Sequence, residues 1–324
     1  MRPQVVLMMM PRTTPVYKRL KKMMATQETS VPVQFANETT FTPRGGRVDK
    51  SKMVNLMMQV VNKMGISTRR IAGMRALMGA DKRMLVVGID KRQDSVALVY
   101  TVDSECDRPY AFLTSTHGPS RAIIDEHAMQ QAMVAVLQVF KQENGGALPT
   151  GVILYRTGTS SGQLDRVQDS ECKGVRNAFA ELGFEPECYS YIVVTQRDGL
   201  QMVQEQGSSR PPPGVVVDDS GIVPKGSFYL LSHSGAIESP LYNQVDRWAP
   251  EREHATWDEN LKQFSFALAH MYTNWAGTVP LPHVLKNAQK VVQYLSDQGI
   301  NSSEVPDFNR RLMESGGFRK QFWL

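Results

Sequence analysis

The sequence predicts an α/β fold in which a mixed sheet is covered by helices on both faces. Three observations carry that expectation. Residues 84–90 form an apolar, β-branched run of strand length, and a second run, 96–100, follows at hairpin distance. Later strand-like runs at 151–155 and 188–195 alternate with helical patterns over 122–141 and 164–182. A hydrophobic fraction of 41% with 21% charged residues belongs to an ordinary globular chain, and 324 residues leave room for one large or two ordinary domains.

Taken in order, residues 4–10 read as a strand. The opening stretch is too short for a signal peptide, has Pro3 and Pro11 at its ends and lacks a small-residue cleavage site. Tyr17, Leu20 and Met24 recur at helical spacing. Tyr17 and Lys21 are an i,i+4 pair whose hydroxyl and ammonium can both donate to one phosphate. Residues 31–35 are extended, and 37–50 form a polar, Gly-rich loop. A helix is predicted over 52–64, with Lys63 beside its C-terminal Gly65. Its apolar side (Met53, Leu56, Met57, Val60, Val61, Met64) is expected to fill core.

After the hairpin come a strand over 110–115, a helix stopped by Asn144-Gly145-Gly146, and the alternating strands and helices already named. Strands at 215–217 and 227–232 lead to a helix over 257–275 and a last one over 282–297. Trp257 and Trp275 are expected as core anchors, His233 and His270 as structural histidines, and Cys172 and Cys188 as inert thiols.

The net charge of +5 is unevenly spread. Residues 1–83 hold 16 Lys/Arg against 4 Asp/Glu, a balance of +12, which leaves −7 on residues 84–324. A polyanion would be gripped mainly by the first quarter of the chain. The three cysteines (Cys106, Cys172, Cys188) have no metal-ligand spacing and suit a reducing compartment. No apolar run approaches the roughly 18 residues of a membrane span, so no membrane association is expected. Asp90 stands where a buried strand emerges, which suits either a turn cap or an Mg²⁺ ligand; partner carboxylates decide between them.

Several motifs together resemble the Argonaute/Piwi family. Tyr17-xxx-Lys21-Lys22, Val33-Gln34 and Asn62-Lys63-Met64-Gly65 resemble its MID domain. Residues 84–90, Tyr155-Arg156-Thr157-Gly158 with Gly162-Gln163, and Pro213-Gly214-Val215-Val216-Val217-Asp218 resemble its Piwi domain. So do Ser232-His233, Ala269-His270-Met271-Tyr272 with Asn274-Trp275, and Val279-Pro280-Leu281-Pro282. The style is that of the Piwi branch, and nothing resembles the family's N-terminal or PAZ domains. The resemblance implies a partial, N-terminally short Rossmann-like MID domain over 1–80, packed on an RNase H-like Piwi domain over 81–324.

It also implies a small-RNA (guide) binding protein of RNA-mediated gene silencing. Its partners would be a guide RNA, a complementary target RNA and silencing effector proteins. It would act in the cytoplasm, or in germ-granule-like bodies or the nucleus. The guide 5′-phosphate pocket would comprise Tyr17, Lys21, Gln34 and Lys63, and a further family lysine falls on Gln59. No cofactor is required, although Mg²⁺ held between phosphate and the Leu324 carboxylate is an expected option. Arg197, Tyr272 and Thr278 would give further guide contacts, and Asn274 replaces a frequent arginine.

The family's slicers hold two Mg²⁺ on an acidic tetrad, because two-metal hydrolysis needs clustered carboxylates. Here the four positions are Asp90, Ala122, Thr157 and Asn287. One anionic ligand remains, so no metal is expected in that centre and the chain is expected to be no enzyme. Two other readings stay open. One is a protein-interaction scaffold that has lost RNA binding. The other is a divergent metal-dependent RNase H-like endonuclease using Asp90 with Asp94, Asp125 or Glu126.

Overall fold

The computed structural model describes residues 5–11, 15–27, 31–41, 49–117, 122–196, 198–204, 210–218, 221, 223–224, 226–233 and 238–324. The basic N-terminal quarter contains β1 (Val6–Met9), α1 (Pro15–Ala25), β2 (Val33–Ala36), α2 (Glu38–Phe41), α3 (Lys50–Lys63) and α4 (Met74–Leu77). β1 and β2 pair in parallel, Val6 opposite Val33 and Met9 opposite Ala36, so α1 is the crossover of a βαβ unit. Asp49 caps α3 by accepting from the Ser51 and Lys52 amides. The expected core on the apolar side of α3 is only partly formed: Leu56 is buried and Met53, Val60, Val61 and Met64 are half-buried, but Met57 is 55% exposed. A two-stranded sheet offers too little surface to cover that side of the helix.

The rest of the chain is built on one eight-stranded mixed sheet. Its strands are β3 (Met84–Arg92), β4 (Ser95–Thr101), β5 (Pro109–Ser115), β6 (Gly151–Arg156), β7 (Cys188–Thr195), β8 (Val215–Val217), β9 (Ser227–Leu231) and β10 (Leu241–Trp248). Their order across the sheet is β5-β4-β3-β6-β7-β10-β9-β8. β3, β6 and β7 run parallel in the middle, and antiparallel strands flank them on each side. The helices are α5 (Glu126–Glu143), α6 (Leu164–Val167), α7 (Lys173–Glu181), α8 (His254–Ala269), α9 (His283–Asp297) and α10 (Val305–Glu314).

Alternation along β3 assigns the two faces. Leu85, Val87 and Ile89 pack with Met129, Met133 and Val136 of α5 and Val175 of α7. Val86 packs on the opposite face with Leu261 and Phe264 of α8 and Val284 and Leu285 of α9. Gly88 shares that second face, and a Cβ there would lie 2.3 Å from the Leu285 backbone nitrogen. The missing side chain is what lets α9 lie against the strand. Asp90, two residues on, therefore also faces α9.

Three expectations about elements need correction, and two elements went unforeseen. The helix expected from 122 begins at Glu126, because Asp125 is its N-cap, accepting from the Ala128 amide at 2.9 Å and from the Thr116 hydroxyl at 2.6 Å. The helix expected over 164–182 is interrupted by a π-helical turn at Gln168–Cys172. That turn contains Glu171, which meets Arg156 at 2.9 Å in a pair with both side chains fully buried. The helix expected to reach 275 stops at Ala269, whose carbonyl accepts from the Val279 amide while the His270 carbonyl accepts from Arg69. Trp275 consequently lies in a loop, 47% exposed, and is no core anchor, whereas Trp257 is buried. Finally, β10 and α10 were not legible: polar residues interrupt both patterns.

Candidate functional site: a cavity between the βαβ unit and the sheet domain

Helix α9 reaches past the sheet to the βαβ unit, and the two enclose a cavity of about 360 Å³. Tyr17 and Lys21 from α1, Gln34 from β2, Gln59 from α3 and Leu324 all line it. Five of the residues expected at the 5′-phosphate or as further guide contacts are thus brought together from four separate segments. Helical spacing places Tyr17 and Lys21 one turn apart, and the Lys21 ammonium sits 5.9 Å from the Tyr17 ring centroid and 5.4 Å from that of Tyr294. Two aromatic faces thereby hold the ammonium at the cavity. Tyr294 also ties α9 to α1 by donating its hydroxyl to the Lys21 carbonyl at 3.1 Å. The Tyr17 ring meets Phe35 edge-on at 5.2 Å.

Gln59 occupies the position where the resemblance implies a lysine, and its role is different. The Gln34 amide donates to Gln59 Oε1 at 2.8 Å, and Gln59 Nε2 donates to Asn274 Oδ1. Asn274 Nδ2 in turn lies 3.5 Å from the Tyr272 hydroxyl. A chain of neutral amides therefore joins β2 and α3 to the loop after α8. Gln34 Oε1 is buried with no partner among the described residues, which leaves one acceptor at the wall unsatisfied.

Lys63 does not line this cavity but the smaller one beside it. Its ammonium donates to the Leu324 backbone oxygen at 2.8 Å and to the Val33 carbonyl at 3.0 Å. The terminal residue expected to help hold Mg²⁺ thus already has a lysine ammonium on one of its oxygens. Tyr272 is buried. The Thr278 hydroxyl is 3.2 Å from His233 Nδ1, and His270 Nδ1 is 3.0 Å from the Phe266 carbonyl, as expected of structural histidines. Arg197 lies outside the described residues. Sequence reasoning missed Lys18 and Lys290 on the cavity wall. A lysine on an exposed helix face carries no signal of its own, so only the fold reveals them.

The tetrad positions converge only in part. The Thr157 hydroxyl donates to Asp90 Oδ1 at 2.8 Å. Burial raises the Asp90 carboxyl above its ordinary range, against the Thr157 hydrogen bond and the Arg156 charge. Ala122 contributes a carbonyl, which accepts from Arg156 at 2.8 Å. Asn287 turns toward Trp323, whose indole donates to its Oδ1 at 3.0 Å. Asp125 is committed to its cap, Glu126 pairs with Lys173 at 2.8 Å, and Asp94 is 4.0 Å from Lys91. Among the described residues no group of three or more His, Cys, Asp or Glu is placed to hold a metal ion. Nor, among them, is any helix long and apolar enough to cross a membrane. All three cysteines are unpaired and buried, and burial raises each thiol.

Comparison with known proteins agrees with this architecture. The Piwi domain family model matches residues 4–298. Protein piwi of Drosophila melanogaster is 25% identical over 225 residues, 67% of this chain but 25% of that protein. The C-terminal lobe of a budding yeast Argonaute superposes with a TM-score of 0.76 at 17% identity, covering 99% of this chain and 69% of that one. The Kluyveromyces polysporus Argonaute, solved with a guide RNA, superposes with a TM-score of 0.73 at 17% identity over 99% of this chain and 42% of that one. The chain thus spans about a quarter of the length of the curated relative. The large mixed sheet, the βαβ unit packed against it and the family match together make this chain a member of the Argonaute/Piwi family, carrying its Piwi domain.

Proposed function

We propose that the chain binds the 5′-phosphorylated end of a small guide RNA and pairs it with a target RNA without cutting either strand. The observation that carries this reading is the cavity that gathers Tyr17, Lys21, Gln34 and Gln59 with Lys290 of α9. A terminal phosphate in it would accept from the Tyr17 hydroxyl and the Lys21 ammonium, and the first base would stack on the Tyr17 ring. Support also comes from the relative solved with a guide RNA. No metal is needed there, because Lys63 already supplies positive charge at Leu324. Silencing would then depend on recruited effector proteins, with the cytoplasm, germ-granule-like bodies or the nucleus as the place of action.

The test compares 5′-phosphorylated with 5′-hydroxyl RNA of one sequence. A preference for the phosphate of tenfold or more is expected, on the scale of two charge-assisted contacts, and Tyr17→Ala with Lys21→Ala should abolish it. Equal affinities in the unsubstituted protein would remove the claim.

Absence of cleavage rests on a separate argument. Two divalent ions need several carboxylates to offset their charge, and Asp90 stands alone with a threonine hydroxyl on one of its oxygens. Guide-loaded protein incubated with matched target and Mg²⁺ or Mn²⁺ should release no product. Cutting that depends on Asp90 would restore the nuclease reading.

A further inference from the structure

The four tryptophans differ in one respect. The indole N–H of Trp248 donates to the Pro186 carbonyl at 2.8 Å, that of Trp257 to the Ser190 hydroxyl at 2.9 Å, and that of Trp323 to Asn287 at 3.0 Å. Trp275 has no hydrogen-bond partner among the described residues, and at 47% exposure it is the one large aromatic among the exposed hydrophobics. An exposed ring by itself is common on protein surfaces, but this one is held in place. The indole turns its nitrogen edge back toward Gly277, where a Cβ would lie 2.8 Å from Nε1. Arg69 braces the loop on either side of it, donating to the carbonyls of His270 at 2.9 Å and Gly277 at 3.2 Å.

The location matters as much as the exposure. Asn274, the preceding residue, lines the phosphate cavity and is fixed by Gln59. Thr278, three residues on, presents a hydroxyl beside His233. The loop that carries the ring therefore borders the cavity, with a hydrogen-bonding group on each side of Trp275. The missing side chain at Gly277 leaves room for the nitrogen edge of the indole to approach the backbone. An exposed, unpartnered indole on a braced loop beside a phosphate pocket is the kind of surface on which unstacked bases stack.

We propose that Trp275 is a stacking platform for a nucleobase of the single strand whose 5′ end occupies the cavity. This rests on the guide-binding reading but concerns a different contact. Stacking tolerates any base, so the platform adds affinity without sequence preference.

The experiment titrates a ten-nucleotide RNA, with and without its 5′ phosphate, against the unsubstituted protein, Trp275→Ala, Trp275→Phe and Tyr17→Ala. Trp275→Ala should weaken both RNAs by the same factor, roughly 5- to 150-fold for one stacked base. The 5′-phosphate preference should survive unchanged. Trp275→Phe should recover most of the loss, and Tyr17→Ala should remove the preference instead. Intrinsic fluorescence provides a second readout: RNA should quench the unsubstituted protein and leave the emission of Trp275→Ala unaltered. Unchanged affinity in Trp275→Ala, or loss of the phosphate preference with it, would overturn the platform. Quenching and a Trp275 effect without any phosphate preference would keep the platform and remove the phosphate reading.

Discussion

Gln59 shows how one side chain sets the electrostatics of a site. A lysine there would put a fourth ammonium at the cavity beside those of Lys18, Lys21 and Lys290, whereas the glutamine relays hydrogen bonds from Gln34 to Asn274. Gln59→Lys is expected to tighten 5′-phosphorylated RNA by roughly tenfold and to steepen the salt dependence of binding by about one unit of slope. Affinities measured across a salt series would check this. An unchanged slope would show that position 59 does not face the phosphate.

Asp90 carries the opposite kind of charge. Because burial raises its carboxyl, the folded chain holds that proton more readily than the unfolded chain does. Its contribution to stability is therefore greatest at low pH. That contribution falls as pH rises from the unfolded value, about 3.9, to the raised folded value, and stays low above it. Asp90→Asn keeps an acceptor for the Thr157 hydroxyl and removes the penalty. The variant should be the more stable protein at pH 7 in urea titrations, with the gap closing toward about pH 4. A less stable variant at pH 7 would show that the negative charge itself is needed by Arg156 and its surroundings.

Among the elements, α9 is the one on which the site depends. Its first turn rests on β3 at Gly88, its middle carries Lys290 to the cavity and Tyr294 to α1, and Asn287 holds Trp323. Gly88→Ala would drive a methyl group into the α9 backbone, where no side chain can swing aside. A loss of about 3 kcal/mol or more is expected, seen as a lower urea midpoint. A loss below about 1 kcal/mol would mean that helix and strand can separate cheaply. The π turn before α7 is the second such device. It brings Glu171 against Arg156 behind the β6 end, where the Tyr191 hydroxyl and the Ile124 amide also donate to the carboxylate. Once paired in this way, neither charge is left unmatched inside the sheet's cover.

At the scale of the whole molecule, charge and sheet divide the work. The basic first 83 residues supply Tyr17, Lys21, Gln34 and Gln59, and the sheet domain supplies Lys290 and the loop of Asn274 and Trp275. Neither part encloses the cavity alone. The strands at 84–90, 96–100, 151–155 and 188–195 were legible because a buried strand is a continuous apolar run. The cavity residues Tyr17, Lys21, Gln34 and Gln59 were legible through their resemblance to the family's motifs, and Tyr17 with Lys21 also through helical spacing. β10 was hidden because Asn243, Gln244, Asp246 and Arg247 break its pattern, although Asn243 is buried beside Ser227.

Residue identity along the chain therefore determined which segments could be strands, that positive charge gathers at the amino end, and that Asp90 is the one acid at the four positions the family resemblance singles out. Tertiary structure alone decided that Lys63 neutralises Leu324, that Asn287 turns to Trp323, and that Trp275 stands in solvent. The physical reason is reach. Pattern records what a side chain is and which neighbours lie within one helical turn or one strand, whereas these three outcomes depend on groups tens to hundreds of residues away.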